Sequence, residues 1–147
     1  MYKRILVATD GSPLSKKAVK DAITLAVSLD ASLVALNVVP RYPMSYFEGG
    51  ATISPQEVGR IEKEWTGKGQ AIADAAQKAA EAAGVQAKAV IAKSDLVATA
   101  ILAAAKKNKC DLIVMASHGR KGLSRILLGS ETQQVLTHSS IPVLVLR

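Results

Sequence analysis

A glycine-containing loop follows an apolar run in the last third of the chain. Gly119 and Gly122 come soon after the run, and Gly129 precedes Ser130, which has the side chain of a helix N-cap. Glycine has no Cβ, so backbone N–H groups in such a loop can approach an anion closely, and the helix that follows adds unpaired N–H groups and the positive end of its dipole. Residues 116–130 are therefore typical of a site for nucleotide phosphates.

The same residues have a simpler interpretation. Gly129 can be an ordinary turn residue, and Ser130 with Gln133 three positions later fits the capping box that begins many helices. Loose glycine spacings also recur by accident. The organisation of the whole chain has to decide between the two interpretations.

Length and composition restrict the class of protein. The chain has 147 residues, of which 49% are hydrophobic and 21% charged, and this balance predicts one globular domain over residues 1–147. There is no apolar stretch of about 18 residues, and the amino terminus leads directly into a strand without a signal-peptide core. We therefore expect a soluble, cytoplasmic protein that does not associate with membranes. The lone Cys110 excludes an internal disulfide, and its position suits a buried structural side chain.

The net charge of +7 invites a nucleic-acid partner, but the pattern of charges argues against one. Basic residues occur in runs no longer than two, and the chain has only one Trp, three Tyr and one Phe for base stacking. A solvated helix face explains most of the lysines. Arg120 and Lys121 differ because they lie inside the glycine loop, where they can steer a polyphosphate.

Short apolar runs alternate with helical patterns along the chain. The strand candidates are residues 5–8, 33–36, 85–91, 112–115 and 143–146, and the longest helical pattern covers residues 55–83. Parallel strands need crossover connections, which are usually helices, so this order predicts an α/β domain with one parallel sheet and helices on both faces.

The first strand is followed by an acidic residue, Asp10. If this strand is central and the fourth strand lies beside it, Asp10 and Gly119 face each other across the crevice in which parallel sheets bind ligands. A carboxylate in that place suits a ribose hydroxyl or a Mg²⁺ ion that bridges phosphates. Alternatively, Asp10 caps the first helix, although Ser12 and Pro13 can begin that helix unaided.

A long connection, residues 41–53, follows the second strand and contains Tyr42, Tyr46 and Phe47. Loops of this length are often functional, so it can cover a ligand or form a contact surface. It can equally be a disordered excursion whose aromatic side chains pack on the second helix.

The histidines and the loop patterns give no clear enzyme site. The glycine loop lacks the Lys-Ser/Thr ending of a P-loop, and no Gly-x-Gly-x-x-Gly follows the first strand. His118 can contact a phosphate or only shape the turn, whereas His138 lies near a helix C-terminus, where it suits the dipole. We expect at most slow hydrolysis of a bound nucleotide.

Four segments, residues 3–12, 110–119, 127–130 and 140–145, together resemble the universal stress proteins, and the resemblance spans the whole chain. Its most specific part is the motif of the ATP-binding branch, Gly-x2-Gly-x9-Gly followed by Ser or Thr. Gly119 fills the second position and Gly129 with Ser130 closes the motif, but Ala116 stands where the family has its first glycine.

The resemblance implies a Rossmann-like domain with a five-stranded parallel sheet in the order 3-2-1-4-5, a homodimer, and ATP in the crevice of each subunit. It places ribose and adenine near the first two strands, phosphates in the glycine loop, and terminal N–H groups at the last helix. A bound triphosphate should also recruit Mg²⁺, with Asp10 as the expected protein contact, direct or through water. The expected nucleotide contacts are Ala8, Asp10, Val38, Met115, Ala116, His118, Gly119, Arg120, Gly122, Gly129, Ser130, Glu131 and Thr132.

Two further expectations concern the last strand and the replaced glycine. Residues 142–146 would form an apolar sheet edge, so we expect this strand to pair with its copy in a symmetric homodimer. Position 116 directly follows the fourth strand, where extended backbone is natural, so we expect alanine to be tolerated there and ATP to bind. Gly119 and Gly129 instead belong to the turns that bring amides onto phosphate, and a branched side chain at 129 would lie against the phosphates.

Two functions fit these observations. The first is an ATP-binding regulatory protein, in which nucleotide occupancy changes shape or partners. The second is a nucleotide-free dimeric adaptor that acts through its surface and retains the glycine loop for folding alone. The spacing from Gly119 to Ser130 favours the first.

Overall fold

Strands and helices alternate along the chain, as the apolar runs predict. The computed structural model describes residues 1–43, 54–119 and 127–147. In chain order the elements are β1 (Arg4–Ala8), α1 (Pro13–Leu29), β2 (Ser32–Val39), α2 (Pro55–Ala82), β3 (Ala87–Lys93), α3 (Val97–Lys107), β4 (Leu112–Ala116), α4 (Ser130–His138) and β5 (Val143–Leu146).

The strands of the described residues form one parallel sheet in the order β3-β2-β1-β4-β5. β1 is central: Val7 pairs with Ala35 of β2 on one side and with Val114 of β4 on the other. The expected α/β fold with the Rossmann-like order 3-2-1-4-5 is confirmed. Since all strands run the same way, their C-terminal ends share one edge of the sheet.

The helices cover both faces of this sheet. Ile5 and Val7 pack with residues of α1 and α2, whereas Leu6 between them packs with residues of α3 and α4. Successive side chains of a strand point to opposite faces, and all three of these side chains are fully buried. Burial on both faces is the reason that β1 is a continuous apolar run rather than an alternating one.

β3 begins two residues later than its apolar pattern predicts, at Ala87 instead of Val85. Val85 belongs to the turn that ends α2, because its N–H donates to the carbonyl of Ala80 at 2.9 Å. Gly84 makes this turn possible with a φ of +83°. The turn thus uses Val85, an apolar residue that the pattern assigns to the strand.

The two edge strands are protected to different degrees. On β3, Gln77 of α2 accepts the N–H of Ala89 at 3.1 Å, and Lys88 and Lys93 are exposed. A blocked amide and lysines are common protections of a sheet edge. β5 consists only of valine and leucine, and Leu144 is 40% exposed. β5 is therefore the edge better suited to pairing with another strand.

α2 approaches β2 closely at a glycine. Gly69 is buried, and a Cβ at this position would overlap with Asn37 Oδ1 and lie 2.7 Å from Val39 Cγ2. Gly59 and Gly67 of the same helix are exposed, and a Cβ on either would meet nothing within 4 Å. Only the middle of α2 therefore depends on a missing side chain for its contact with the sheet.

The N-terminus of α4 is hydrogen-bonded to the end of β4. Thr132 is 2% exposed, and its hydroxyl lies 3.0 Å from the carbonyl oxygen of Ala116 and 3.1 Å from that of Ser117. The N–H of Gly129 donates to the Ser117 carbonyl at 2.7 Å, and the N–H of Ser117 donates to Leu146 of β5 at 2.7 Å. These contacts fix where α4 begins relative to the sheet, and we call them the β4–α4 latch.

Alanine substitutions in α2 should separate the two kinds of glycine. We expect Gly67→Ala to raise the free energy of unfolding by about 1 kcal/mol, because alanine has the higher helix propensity and has room there. Gly69→Ala should lower it by about 1–3 kcal/mol, because the methyl group would push Asn37 and Val39 out of place. Urea denaturation of both variants measures the difference, and equal effects would contradict the close packing of α2 on β2.

The β4–α4 latch predicts a second difference in stability. Thr132→Val should lower the free energy of unfolding by about 1–3 kcal/mol, because the shape is kept while a buried hydrogen-bonding group is lost. The control is Thr137→Val, which removes an exposed hydroxyl bonded to Gln133 within the same helix; a change below about 0.5 kcal/mol is expected there. A Thr132 variant as stable as the Thr137 variant would show that the latch contributes little.

Candidate functional site

The candidate site is the crevice between the C-terminal ends of β1 and β4. Asp10 lies just after β1, and Gly119 lies just after β4. A Cβ on Gly119 would lie 2.6 Å from Asp10 Oδ2, so the backbone of the glycine loop comes close to the carboxylate. The expected juxtaposition of Asp10 and Gly119 is confirmed, and a side chain at position 119 would require the Asp10 carboxylate to move.

Asp10 is held in a defined orientation. Its Oδ1 accepts the N–H of Ser12 at 2.9 Å, while Oδ2 is the oxygen nearest Gly119. The N-cap of α1 is Ser12, whose hydroxyl accepts the N–H of Ser15 at 3.3 Å, and Pro13 is the first helical residue. The alternative interpretation of Asp10 as the helix cap is therefore wrong, and the start at Ser12 and Pro13 is confirmed.

α4 begins one residue earlier than the sequence predicts. Its N-cap is Gly129, and Ser130 is the first helical residue. The prediction of Ser130 as the N-cap is wrong, since its hydroxyl donates to Glu131 Oε2 at 3.0 Å. The N–H of Gln133 donates to the Gly129 carbonyl at 3.0 Å, and residues 130–132 precede this first bond of the helix. Their backbone N–H groups are the ones that a helix N-terminus offers to an anion.

Gly129 also matters for room rather than for conformation. Its φ of −61° is open to any residue. A Cβ there would lie 3.2 Å from the Ser117 carbonyl oxygen and 3.3 Å from His118 Cα. A branched side chain at 129 would therefore press on the backbone that leaves β4, whatever it did to a bound phosphate.

Ala116 has ordinary strand geometry. It is the last residue of β4, pairs with Leu146 of β5 and is buried. Among the described residues, only Asp30 and Lys109 combine a positive φ with a side chain. The expected extended backbone at position 116 is confirmed, so the alanine that replaces the first motif glycine causes no backbone strain.

Three residues that were predicted to contact the nucleotide lie on one face of the sheet, at the C-terminal ends of the strands. Ala8 and Val38 are partly buried and Met115 is buried, and all three pack on the side that α3 and α4 cover. They provide an apolar surface next to Asp10. Such a surface suits the flat face of a base, while the carboxylate is the polar group beside it.

The remaining loop residues of the prediction are only partly described. His118 is half-buried, and its Nδ1 lies 3.1 Å from the Ser117 hydroxyl. This contact is compatible with both roles expected for His118. Arg120 and Gly122 lie outside the described residues.

The described start of the connection after β2 packs on α2. The Tyr42 ring stacks on Trp65, with centroids 6.0 Å apart and planes inclined at 24°. The N–H of Tyr42 also donates to Glu62 Oε1 at 3.2 Å, and Glu62 Oε2 pairs with Lys93 at 3.4 Å. Tyr42 thus packs on the second helix, as one of the two interpretations expects. Residues 44–53, with Tyr46 and Phe47, lie outside the described residues.

The other reactive side chains lie elsewhere. Cys110 precedes β4 at the opposite edge of the sheet, where burial raises the pKa of its thiol to about 11; the expected structural role fits this. His138 ends α4, with its Nδ1 2.9 Å from the Gln134 carbonyl oxygen.

Within the described ranges there is no group of three or more His, Cys, Asp or Glu side chains that could hold a metal ion. No helix in the same ranges is long and apolar enough to cross a membrane.

Two supports of the site were not predicted from the sequence. Thr132 was expected to offer its N–H, but its side chain forms the β4–α4 latch. Asn37 was not singled out, although it donates to the carbonyl of Thr9, directly before Asp10. A polar residue inside the apolar run of β2 was the available signal, because buried polar side chains need a partner.

Comparisons with known proteins agree with the fold. Universal stress protein MJ0531 of Methanocaldococcus jannaschii is 38% identical over 148 residues, which cover 100% of this chain and 83% of that protein. The structure of the universal stress protein UspA from Lactobacillus plantarum has a TM-score of 0.81 at 24% identity and covers 99% of this chain and 98% of its own. A universal stress protein in complex with cAMP has a TM-score of 0.67 at 26% identity, with 99% and 97% of the two chains covered.

The family itself is shown by a match over the full sequence. The sequence model of the universal stress protein family matches residues 1–147. Together with the sheet order and the crevice between β1 and β4, this match establishes that the chain belongs to the universal stress protein family.

Proposed function

We propose that this protein binds ATP in the crevice between β1 and β4 and acts as a nucleotide-responsive regulatory protein in the cytoplasm. The observation that carries the proposal is the close approach of Gly119 to the Asp10 carboxylate, next to the N-terminus of α4. A nucleotide needs an apolar surface for its base, a polar partner for its ribose and N–H groups for its phosphates, and residues of each kind line the crevice. The cAMP bound by one structural relative supports a nucleotide as the ligand.

Each part of the nucleotide has a matching surface in this proposal. The base lies on Ala8, Val38 and Met115, and Asp10 accepts hydrogen bonds from the ribose. The phosphates lie against His118 to Gly119 and the N–H groups of residues 130–132, where the helix dipole favours negative charge. Arg120 and Gly122 are proposed to complete the phosphate contacts.

Mg²⁺ is proposed to accompany the triphosphate. This ion is usually held by one or two carboxylates together with phosphate oxygens and several waters. Asp10 is the carboxylate beside the loop, and a single carboxylate fits such an ion. The metal would neutralise phosphate charge, and Asp10 would contact it through a bound water. Hydrolysis, if present, is expected to be slow.

The β4–α4 latch connects this crevice to the β5 edge. Ser117, which precedes His118, donates its N–H to Leu146 of β5. A change in the loop on nucleotide binding can therefore reach the strand through which we propose that two copies pair. This connection gives nucleotide occupancy a physical route to the surface of the protein.

ATP titrations of matched glycine variants test the proposal. We expect the wild-type protein to bind ATP and Gly119→Ala to weaken binding at least about tenfold, because the new methyl group would displace the Asp10 carboxylate. Gly67→Ala adds the same methyl group on an exposed face of α2 and should leave the affinity unchanged. Ala116→Gly should change it by less than about tenfold, because Ala116 is unstrained. Isothermal titration calorimetry with and without Mg²⁺ gives these affinities.

Three results of the titrations would contradict the proposal. An absence of ATP binding in the wild-type protein and in every variant would favour the nucleotide-free adaptor. Binding that appears only in Ala116→Gly would show that the alanine disables the site. Equal affinities of Gly119→Ala and Gly67→Ala would show that the contact between position 119 and Asp10 does not affect ATP binding.

The proposed homodimer is tested at the β5 edge. Leu144→Lys should convert a dimer into a monomer, because it places a charge on the exposed side of the pairing strand. The control is Val27→Lys, at an apolar residue of α1 that is 54% exposed. Sedimentation velocity at micromolar concentration should show a dimer for the wild type and the control. A monomeric wild type, or a dimeric Leu144→Lys, would refute pairing through β5.

A further inference from the structure

Thr9, the first residue after β1, has each of its polar groups bonded inside the fold. It is 6% exposed, and its N–H donates to the Leu36 carbonyl at 2.9 Å. Its hydroxyl lies 3.1 Å from the Ser15 hydroxyl and accepts the N–H of Gly11 at 3.3 Å. Its carbonyl oxygen accepts a hydrogen bond from Asn37 Nδ2 at 2.9 Å. The last contact differs from the others because it comes from a side chain in the middle of a buried strand.

Asn37 is an unusual residue for its position. It is 6% exposed, between two apolar residues of β2, where burying an amide is costly unless the amide is hydrogen-bonded. Its Oδ1 lies against the backbone of Gly69 in α2, where a side chain would overlap with it. The amide is thus confined between α2 and the end of β1, and its Nδ2 is directed at the carbonyl of Thr9.

That carbonyl belongs to the same planar peptide unit as the N–H of Asp10. A hydrogen bond that fixes the Thr9 oxygen therefore also fixes the plane from which the Asp10 side chain departs. The Ser12 N–H then holds Asp10 Oδ1, and Oδ2 faces the crevice. The orientation of the carboxylate depends on both contacts.

We infer that Asn37 is a positioning residue that sets the direction of the Asp10 carboxylate for recognition of the ribose 2′-hydroxyl. The inference rests on the proposed function, because it concerns the same nucleotide site. Hydrogen bonds weaken steeply when their angles are poor, so a small rotation of the Thr9–Asp10 peptide reduces the contribution of the carboxylate. Asn37 therefore controls the preference of the site for ribonucleotides over 2′-deoxyribonucleotides.

The test compares two buried asparagines with the same chemistry. Asn37→Leu keeps the approximate shape of the side chain but removes the bond to Thr9. Asn108 is 9% exposed, and its Nδ2 donates to the Ala104 carbonyl at 2.8 Å. It lies at the end of the sheet where the strands begin, away from Asp10. Asn108→Leu therefore reproduces the loss of a buried amide bond without affecting Asp10.

The readout is the ratio of the dissociation constants for 2′-deoxy-ATP and ATP. A general loss of stability affects both ligands equally and leaves this ratio unchanged. We expect the wild-type protein and Asn108→Leu to prefer ATP to the same extent, and Asn37→Leu to lose about tenfold of that preference. A preference in Asn37→Leu equal to that of the wild type would overturn the inference, as would a wild-type protein that binds both nucleotides equally.

A second measurement examines the positioning without any nucleotide. In the free protein, hydrogen exchange of the Ser12 amide reports its bond to Asp10 Oδ1. We expect exchange of this amide to be about tenfold faster in Asn37→Leu than in Asn108→Leu, because the displaced carboxylate accepts it less well. Equal exchange rates would overturn the inference. If the wild-type protein binds no ATP, the proposed function fails, and the inferred control of ribose recognition fails with it; the exchange rates then still decide whether Asn37 orients Asp10.

Discussion

β1 pairs in parallel with β2 on one side and with β4 on the other, and this pairing decides where the helices and the crevice lie. The chain leaves β1 into α1 on one face of the sheet, whereas the helices after β3 and β4 cover the other face. The segments that follow β1 and β4 therefore separate and leave a crevice between them. Asp10 and Gly119 meet there because each lies just after one of the two strands.

The crevice is kept in shape by close backbone contacts. Gly119 leaves room for the Asp10 carboxylate, and Gly129 leaves room for the backbone at Ser117 and His118. The β4–α4 latch then fixes the start of α4 through the Thr132 hydroxyl. A side chain at 119 or 129 would displace one of these neighbours, and the unstrained Ala116 shows why one departure from the motif is compatible with the fold.

Much of the fold could be predicted from the sequence because β1 and β4 are buried on both faces, so that their apolar runs are continuous. The alternation of these runs with helical patterns then requires a parallel sheet. The start of β3 could not be predicted, because Val85 is apolar in either role and only the turn at Gly84 assigns it to the end of α2. Ser130 was misassigned for a similar reason: serine is favoured as an N-cap, but the contact of Gly129 with Ser117 decides where α4 begins.

The residues of the crevice could be named from the motif, but their supports could not. The bond from Asn37 to Thr9 joins residues 28 positions apart, and no local pattern contains it. Gly69 leaves room for the Asn37 amide. This contact depends on how α2 packs on β2, which is defined only in the folded chain.

In the proposed function, the phosphates of ATP lie between the ends of β1 and β4 and the N-terminus of α4. A titration of the ¹⁵N-labelled protein with Mg²⁺ and ATP, followed by amide chemical shifts, tests it most directly. We expect the largest shifts at Gly119, Ser130, Glu131 and Thr132, with little change at Cys110, at the end of the sheet where the strands begin. Shifts that are absent at saturating ATP, or that centre on Cys110, would contradict it.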